Sequence, residues 1–226
     1  MFRYTLGAYF FQKTNNMKQT QEVRISPPKF VTLTIEIEGT SPYMQLRFSQ
    51  KAKEQMMGKM AAGATAKSKK TREARDFDED FRQAMYISDE GWNGIPASVF
   101  RNSCIEVCRM VGFKMTHARM SIFTEPDGFD YIEGTPLVRI YGGDPIRTEM
   151  AVRNATGVAD VRIRPMWKQW GAFVRIRFDA DQFTAEDVVN LFNRAGQQCG
   201  IGEGRPFSKS SNGMGFGMFT VKNIVG

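Results

Sequence analysis

The stretch Val161-Arg162-Ile163-Arg164-Pro165-Met166-Trp167-Lys168-Gln169-Trp170-Gly171-Ala172-Phe173-Val174-Arg175-Ile176-Arg177-Phe178 alternates apolar and basic residues at both of its ends. Side chains leave a β-strand on opposite faces with a period of two, so each end reads as a strand with one apolar and one cationic side. Val161, Ile163, Val174, Ile176 and Phe178 then turn to a core, and Arg162, Arg164, Arg175 and Arg177 share the other face. A hairpin through Met166 to Ala172 would gather the four arginines into one cationic cluster. Like charges opposite one another weaken a sheet, and a nucleic-acid phosphate backbone would compensate them. The alternative is a solvated outer face whose arginines pair with acids elsewhere. Trp167, Trp170 and Phe173 border these strands, and Phe173 falls on the arginine side by parity. Aromatic platforms beside cationic tracks hold single strands, each stacked base contributing roughly 1–3 kcal/mol. Trp167 and Trp170 read equally well as packing at the hairpin end.

Working outward, Phe30 to Glu38 alternates Val31, Leu33, Ile35 and Ile37 with Thr32, Thr34, Glu36 and Glu38, the pattern of a half-buried strand. Gly39-Thr40-Ser41-Pro42 ends it, and Tyr43 to Phe48 leads into a polar helix near Ser49 to Met60. A short helix is expected over Asp76 to Met85. Gly94-Ile95-Pro96-Ala97-Ser98 then introduces an amphipathic helix. On it Phe100, Cys104, Val107, Cys108 and Val111 form one buried stripe, with Arg101, Asn102 and Arg109 off it and Gly112 closing it. Met120 to Phe178 is rich in strand signals. Thr184 caps a further helix, with Asp187 at its third position and Val188, Leu191 and Phe192 inside. A last strand is expected over Phe216 to Ile224. This order of strands and helices is that of an α+β sandwich, helices on one side of an antiparallel sheet.

The chain has 226 residues, 42% of them hydrophobic, and 18 phenylalanines, enough for one domain with a substantial core. We expect a flexible leader over 1–28 and a single domain over 29–226. Its net charge of +7 favours an anionic partner. That charge is unevenly spread. Lys51, Lys53, Lys59, Lys67, Lys69, Lys70, Arg72 and Arg75 stand against only Glu54 and Glu73, so residues 51–75 carry +6 of the total. Residues 61–75 lack apolar periodicity, which reads as a mobile basic arm that orders on a polyanion or simply solvates a loop.

Cys104, Cys108 and Cys199 contain no CxxC pair and read as small buried residues in a reducing compartment. The apolar Tyr4 to Phe11 stretch lacks a small-residue cleavage site, and no run approaches the length needed to cross a bilayer, so the expectation is a cytoplasmic protein without a membrane partner. His117 is the only histidine, and no Cys or carboxylate lies near it at ligand spacing. The acids Asp76, Asp78, Glu79 and Asp80 sit at a helix start, where they favour the dipole. No catalytic residue, metal site or cofactor is assigned.

Near the C-terminus come Gly200-Ile201-Gly202-Glu203-Gly204-Arg205-Pro206, then Lys209, then Gly213-Met214-Gly215-Phe216-Gly217. Glycine at every second position leaves backbone amides uncovered, so a phosphate could approach the main chain with Arg205 and Lys209 beside it. A glycine-rich hairpin leading into the last strand is the other reading. Together with the Ile95-Pro96-Ala97-Ser98 helix start and Arg101, this tail resembles the RAMP superfamily, RRM-like proteins that form CRISPR effector backbones. The overall character also looks like small proteins of phage early regions. The resemblance implies an RRM-like fold, single-stranded nucleic acid as ligand and a glycine-rich loop beside it; with the reading of the residues, the expected architecture is a ferredoxin-like or RRM-like antiparallel sheet with helices on one face, a basic inserted arm over 51–75 and a glycine-rich C-terminal loop. The resemblance also implies assembly of copies along the strand.

The expectation from sequence is therefore a non-catalytic protein that binds single-stranded DNA or RNA with little sequence preference. Arg162, Arg164, Arg175 and Arg177 would meet phosphates, Phe173 and Trp167 would stack, Gly202, Gly204, Arg205 and Lys209 would wrap the strand, and Lys67, Lys69, Lys70 and Arg72 would extend the track. The alternatives are a metal-independent endoribonuclease using His117 or a carboxylate, and a phage-encoded protein-binding inhibitor.

Overall fold

A computed structural model of the chain describes residues 25–48, 50–61, 63, 75–153, 159–209 and 211–225. In chain order its elements are β1 (Phe30–Gly39), β2 (Tyr43–Met44), α1 (Gln50–Ala61), α2 (Phe77–Gln83), β3 (Gly94–Pro96), α3 (Ala97–Val107), α4 (Met115–Ser121), β4 (Ile122–Glu125), β5 (Gly128–Phe129), β6 (Pro136–Tyr141), β7 (Ile146–Arg153), β8 (Ala159–Trp167), β9 (Gly171–Asp179), α5 (Ala185–Arg194) and β10 (Phe219–Val225). The protein is α+β, with a mostly antiparallel sheet and five α-helices among the described residues. None of these helices is long and apolar enough to cross a membrane.

The main sheet is built around β9. One edge of β9 pairs along its whole length with β1, from Phe30↔Asp179 to Glu38↔Gly171, and β1 in turn pairs with β10. Its other edge is shared by β4, opposite Arg175 to Phe178, and β6, opposite Gly171 and Ala172. β3 and β5 attach to β6. Alternation along β1 and β9 sends Ile35, Ile37, Val174, Ile176 and Phe178 to one side, where all are buried in a single cluster with residues of α3 and α5. Phe100 of α3, Phe192 of α5 and Phe219 of β10 close that core as an aromatic trio with centroids 5.4–6.2 Å apart. Each such ring, taken fully out of water, stabilises the fold by roughly 1.5–3 kcal/mol.

The two principal helices follow their local signals. Thr184 and Asp187 form a complete capping box at the start of α5, and Val188, Leu191 and Phe192 are its buried residues. In α3 the stripe Phe100, Cys104, Val107 and Cys108 is buried, but Val111 is 46% exposed. The helix ends at Val107, so Val111 leaves the stripe before the chain turns through Gly112.

The hairpin expected between the arginine strands does not form. β8 pairs with β2 and β7 in a separate three-stranded sheet, and β9 belongs to the main sheet. The reason lies at the corner between them. Trp167 and Trp170 are both buried and pack on Tyr43 with centroids 5.6 and 5.3 Å away, and the Trp170 indole donates to the Ser41 carbonyl at 2.8 Å. Two large rings anchored at the corner turn the chain out of one sheet and into the other. Both edges of β9 are already occupied by β1 and by β4 with β6.

Candidate functional site

The side of the main sheet away from α3 and α5 carries a set of uncovered aromatic side chains. Phe173 of β9 is 48% exposed and stacks on Tyr141 of β6, with ring centroids 5.6 Å apart. Further along the same strand, Arg177 lies opposite Thr32 on β1 and Phe123 on β4. Its guanidinium sits 5.0 Å from the Phe30 ring centroid and 5.2 Å from that of Phe123, and these two rings meet edge to face at 5.7 Å. Cations held over ring faces in this way are attracted by the ring quadrupole. The result is two aromatic stations on one open face.

Charge on that face is largely matched. Arg175 pairs with Asp127 at 3.2 Å and approaches Glu125 at 4.0 Å, and it also donates to the Pro126 carbonyl. Lys222 of β10 lies 3.0 Å from Glu36. The ammonium holds the Glu36 carboxyl below the usual carboxylate range, and Glu36 in turn raises the lysine. The Tyr141 hydroxyl lies 3.1 Å from both Glu36 Oε1 and the Ile37 carbonyl oxygen, and partial burial with Glu36 nearby pushes its pKa up to about 12. Tyr141 is therefore a neutral, tethered ring near neutral pH. Arg177 has no carboxylate partner among the described residues.

The four arginines expected on one surface are thus divided. Arg175 and Arg177 share the open face with Phe173, whereas Arg162 and Arg164 lie in the other sheet. Arg164 is buried and bonded through Nε and Nη2 to Glu203, with Nη1 donating to the Ile163 carbonyl at 2.9 Å. Its charge is spent inside the fold. Arg162 is half-buried and stands apart from the β9 pair. Trp167, at 1% exposed, has no surface on which a base could stack.

The glycine-rich end also departs from its first reading. The amides of Ile201, Glu203, Phe216 and Gly217 donate to the carbonyls of Gly217, Met44, Gly204 and Pro42, so they are occupied within the protein. At Gly217 (φ +68°) a Cβ would lie 1.8 Å from the Ile201 carbonyl oxygen, and at Gly202 (φ +80°) one would lie 2.5 Å from that of Met44. Close packing accounts for glycine at both positions. Gly204 is buried, Arg205 donates to the Gly202 carbonyl at 2.9 Å, and Lys209 is exposed. Lys67, Lys69, Lys70 and Arg72 lie outside the described residues, as does the leader up to residue 24. The neighbouring Gln50–Ala61 segment is helix α1.

The acidic cluster, the histidine and the cysteines are each accounted for locally among the described residues. Asp76 caps α2 by accepting from the amides of Asp78 and Glu79 at 3.0 Å, while Asp78, Glu79 and Asp80 pair with Arg147, Arg82 and Arg75. His117 is exposed on α4 with its ring edge-on to Phe113 at 6.2 Å. All three cysteines are free thiols, buried, and burial pushes each thiol pKa up. Among the described residues no group of three or more His, Cys, Asp or Glu could hold a metal ion.

Tyr141, Phe123 and Phe30 escaped the reading of the sequence. Their strand signals are visible, but their meeting with Phe173 and Arg177 depends on pairings between distant segments. No family model matches the chain, and no curated protein matches it.

Proposed function

We propose that this chain is a ferredoxin-like α+β protein that holds single-stranded nucleic acid on the open face of its main sheet, without catalysing a reaction on it. The fold reading is supported by the strand order β10-β1-β9 followed by β4 with β6, and by a helix after β1 and another after β9 packed on one side. One observation carries the functional reading. Phe173 with Tyr141, and Phe30 with the half-buried Phe123 around Arg177, line a sheet face on which Arg175 and Lys222 are matched by carboxylates while Arg177 and Arg139 are not, among the described residues.

A face of that kind attracts bases more than backbone. Every base has a π-face, so stacking tolerates sequence, and a lone unpaired guanidinium between two rings supplies a single phosphate or base contact. The binding is therefore dominated by stacking, with the basic segment 67–72 adding long-range attraction.

A fluorescence-anisotropy titration comparing single-stranded RNA, single-stranded DNA and duplex tests this reading. Single strands are expected to bind and duplex to bind far more weakly, because stacked base pairs do not offer their faces. Replacing Phe173 and Phe123 by Ala is expected to weaken the single-strand complex about 10- to 100-fold. Equal affinity for duplex, or no effect of the double substitution, would reject the open face as the binding surface.

A further inference from the structure

At the β6 end of the open face lies a cleft of about 570 Å³, lined among others by Glu90, Trp92, Arg139, Tyr141 and Asp144. It is an open groove with a mostly polar lining rather than an enclosed cavity. Arg139 and Tyr141 are two residues apart on one strand and so share a side of it, which makes the cleft continuous with the Phe173–Tyr141 station.

The cleft has a defined floor. The Trp92 ring lies against the backbone of Gly94 and Gly128, where an added Cβ would come within 3.0 and 2.8 Å of it. Its indole N–H donates to Glu90 Oε2 at 3.1 Å, which fixes the ring's rotation. The Arg139 guanidinium lies over the ring, 6.0 Å from its centroid, and has no carboxylate partner among the described residues. Trp92 is half-buried, whereas Trp167 and Trp170 are buried, so it is the one tryptophan of the three within a ligand's reach.

Resting on the single-strand reading above, we propose that this cleft is a subsite for one nucleobase and that it favours guanine. Two carboxylates on the lining repel phosphate, so a base enters rather than the backbone. Ionised carboxylates only accept hydrogen bonds. Guanine presents N1–H and N2–H₂ side by side, matching the two oxygens of one carboxylate. Uracil and thymine present a single N3–H between two carbonyls, which a carboxylate repels. Trp92 with the Arg139 guanidinium over it supplies the planar cationic platform on which the base stacks. The track thus tolerates sequence except at one position.

The test uses the full chain and two RNA decamers, all-uridine and the same strand with one central guanosine, followed by anisotropy and by tryptophan emission. The guanosine strand is expected to bind about tenfold more tightly, in line with one bidentate base contact, and to quench emission. Glu90→Gln/Asp144→Asn is expected to abolish that tenfold preference, with all-uridine affinity rising as the two repelling carboxylates are neutralised. Trp92→Phe, which keeps a ring on Gly94 and Gly128, is expected to remove the quenching. Equal binding of both strands without quenching overturns the subsite and leaves the open-face reading standing. Binding of neither strand rejects the open-face reading. In that case a titration with guanosine monophosphate judges the cleft alone, and unchanged emission at millimolar nucleotide overturns it.

Discussion

β8 and β9 carry the same Val-Arg-Ile-Arg alternation and meet opposite fates. In β8, Val161 is exposed rather than in the core, but Ile163, Arg164 and Pro165 are buried in succession, so the second half of the strand is covered on both sides, and Arg164 is locked to Glu203 of the glycine-rich segment. In β9 the alternation survives as a division: Val174, Ile176 and Phe178 lie under α3 and α5, while Phe173 and Arg177 remain uncovered. Parity along a strand decides which side chains travel together. Whether their side meets solvent is decided by whatever segment arrives over it, and over β8 that segment is the one from Gly202 to Gly204.

The largest expected consequence is in stability. Arg164→Ala leaves Glu203 unpaired at a site where the arginine side chain is only 10% exposed. Breaking a buried pair costs about 3–5 kcal/mol, and because Glu203 retains some solvent the lower end applies. Arg177→Ala removes an exposed guanidinium with no ionic partner and should cost no more than about 1 kcal/mol, from its exposed contacts with the Phe30 and Phe123 rings. Urea denaturation of the two variants measures both. Similar losses would mean that β8 and β9 are not distinguished in the way their burial indicates.

Arg175 sharpens the contrast from an intermediate position. It lies on the open side of β9, yet its guanidinium bonds Asp127 and the Pro126 carbonyl and so ties the chain after β4 to the sheet. Arg175→Ala is expected to cost about 1 kcal/mol, the net contribution of a partly exposed hydrogen-bonded group. Arg175→Lys should recover part of this, since both contacts are made by the single nitrogen Nη2 and an ammonium can donate to two acceptors. A thermal melt of each variant checks it, and a loss as large as that of Arg164→Ala would contradict the ordering.

Much of this organisation was legible locally. The Thr184–Asp187 cap, the alternation of β1 and the α3 stripe are signals that fit within one or two turns or one strand; the structure realises the cap in full, the alternation from Leu33 onward with Val31 exposed, and the stripe without Val111. What escaped was pairing at a distance. The arginines of β8 and β9 look like one hairpin because they are close in sequence, but the Trp167–Trp170 corner needs Tyr43 to fill it, and that residue comes from another part of the chain. Glu203 reaches Arg164 across 39 positions, and Tyr141 reaches Glu36 across 105. Glycine spacing misled for a similar reason. A positive-φ glycine that frees an amide and one that admits a neighbour's carbonyl have the same spacing, and only the packing partner, Ile201 for Gly217, tells them apart.

The smallest effect separates the two open-face arginines by what they do to salt dependence rather than to affinity. Counterions are released when a phosphate is neutralised, and on a single strand each such contact contributes about 0.7 to the slope of log affinity against log salt. Arg177 brings an unmatched charge and should contribute one such contact, so Arg177→Ala lowers the slope by about 0.7. Arg175 is already matched by Asp127 and Glu125. A phosphate approaching it must also approach those carboxylates, so little net neutralisation occurs, and Arg175→Ala should change the slope by less than half as much. Anisotropy titrations over a series of salt concentrations yield both numbers. If Arg175→Ala flattens the slope as strongly as Arg177→Ala, the internal pairing does not persist in the complex, and β9 presents two cations to the strand instead of one.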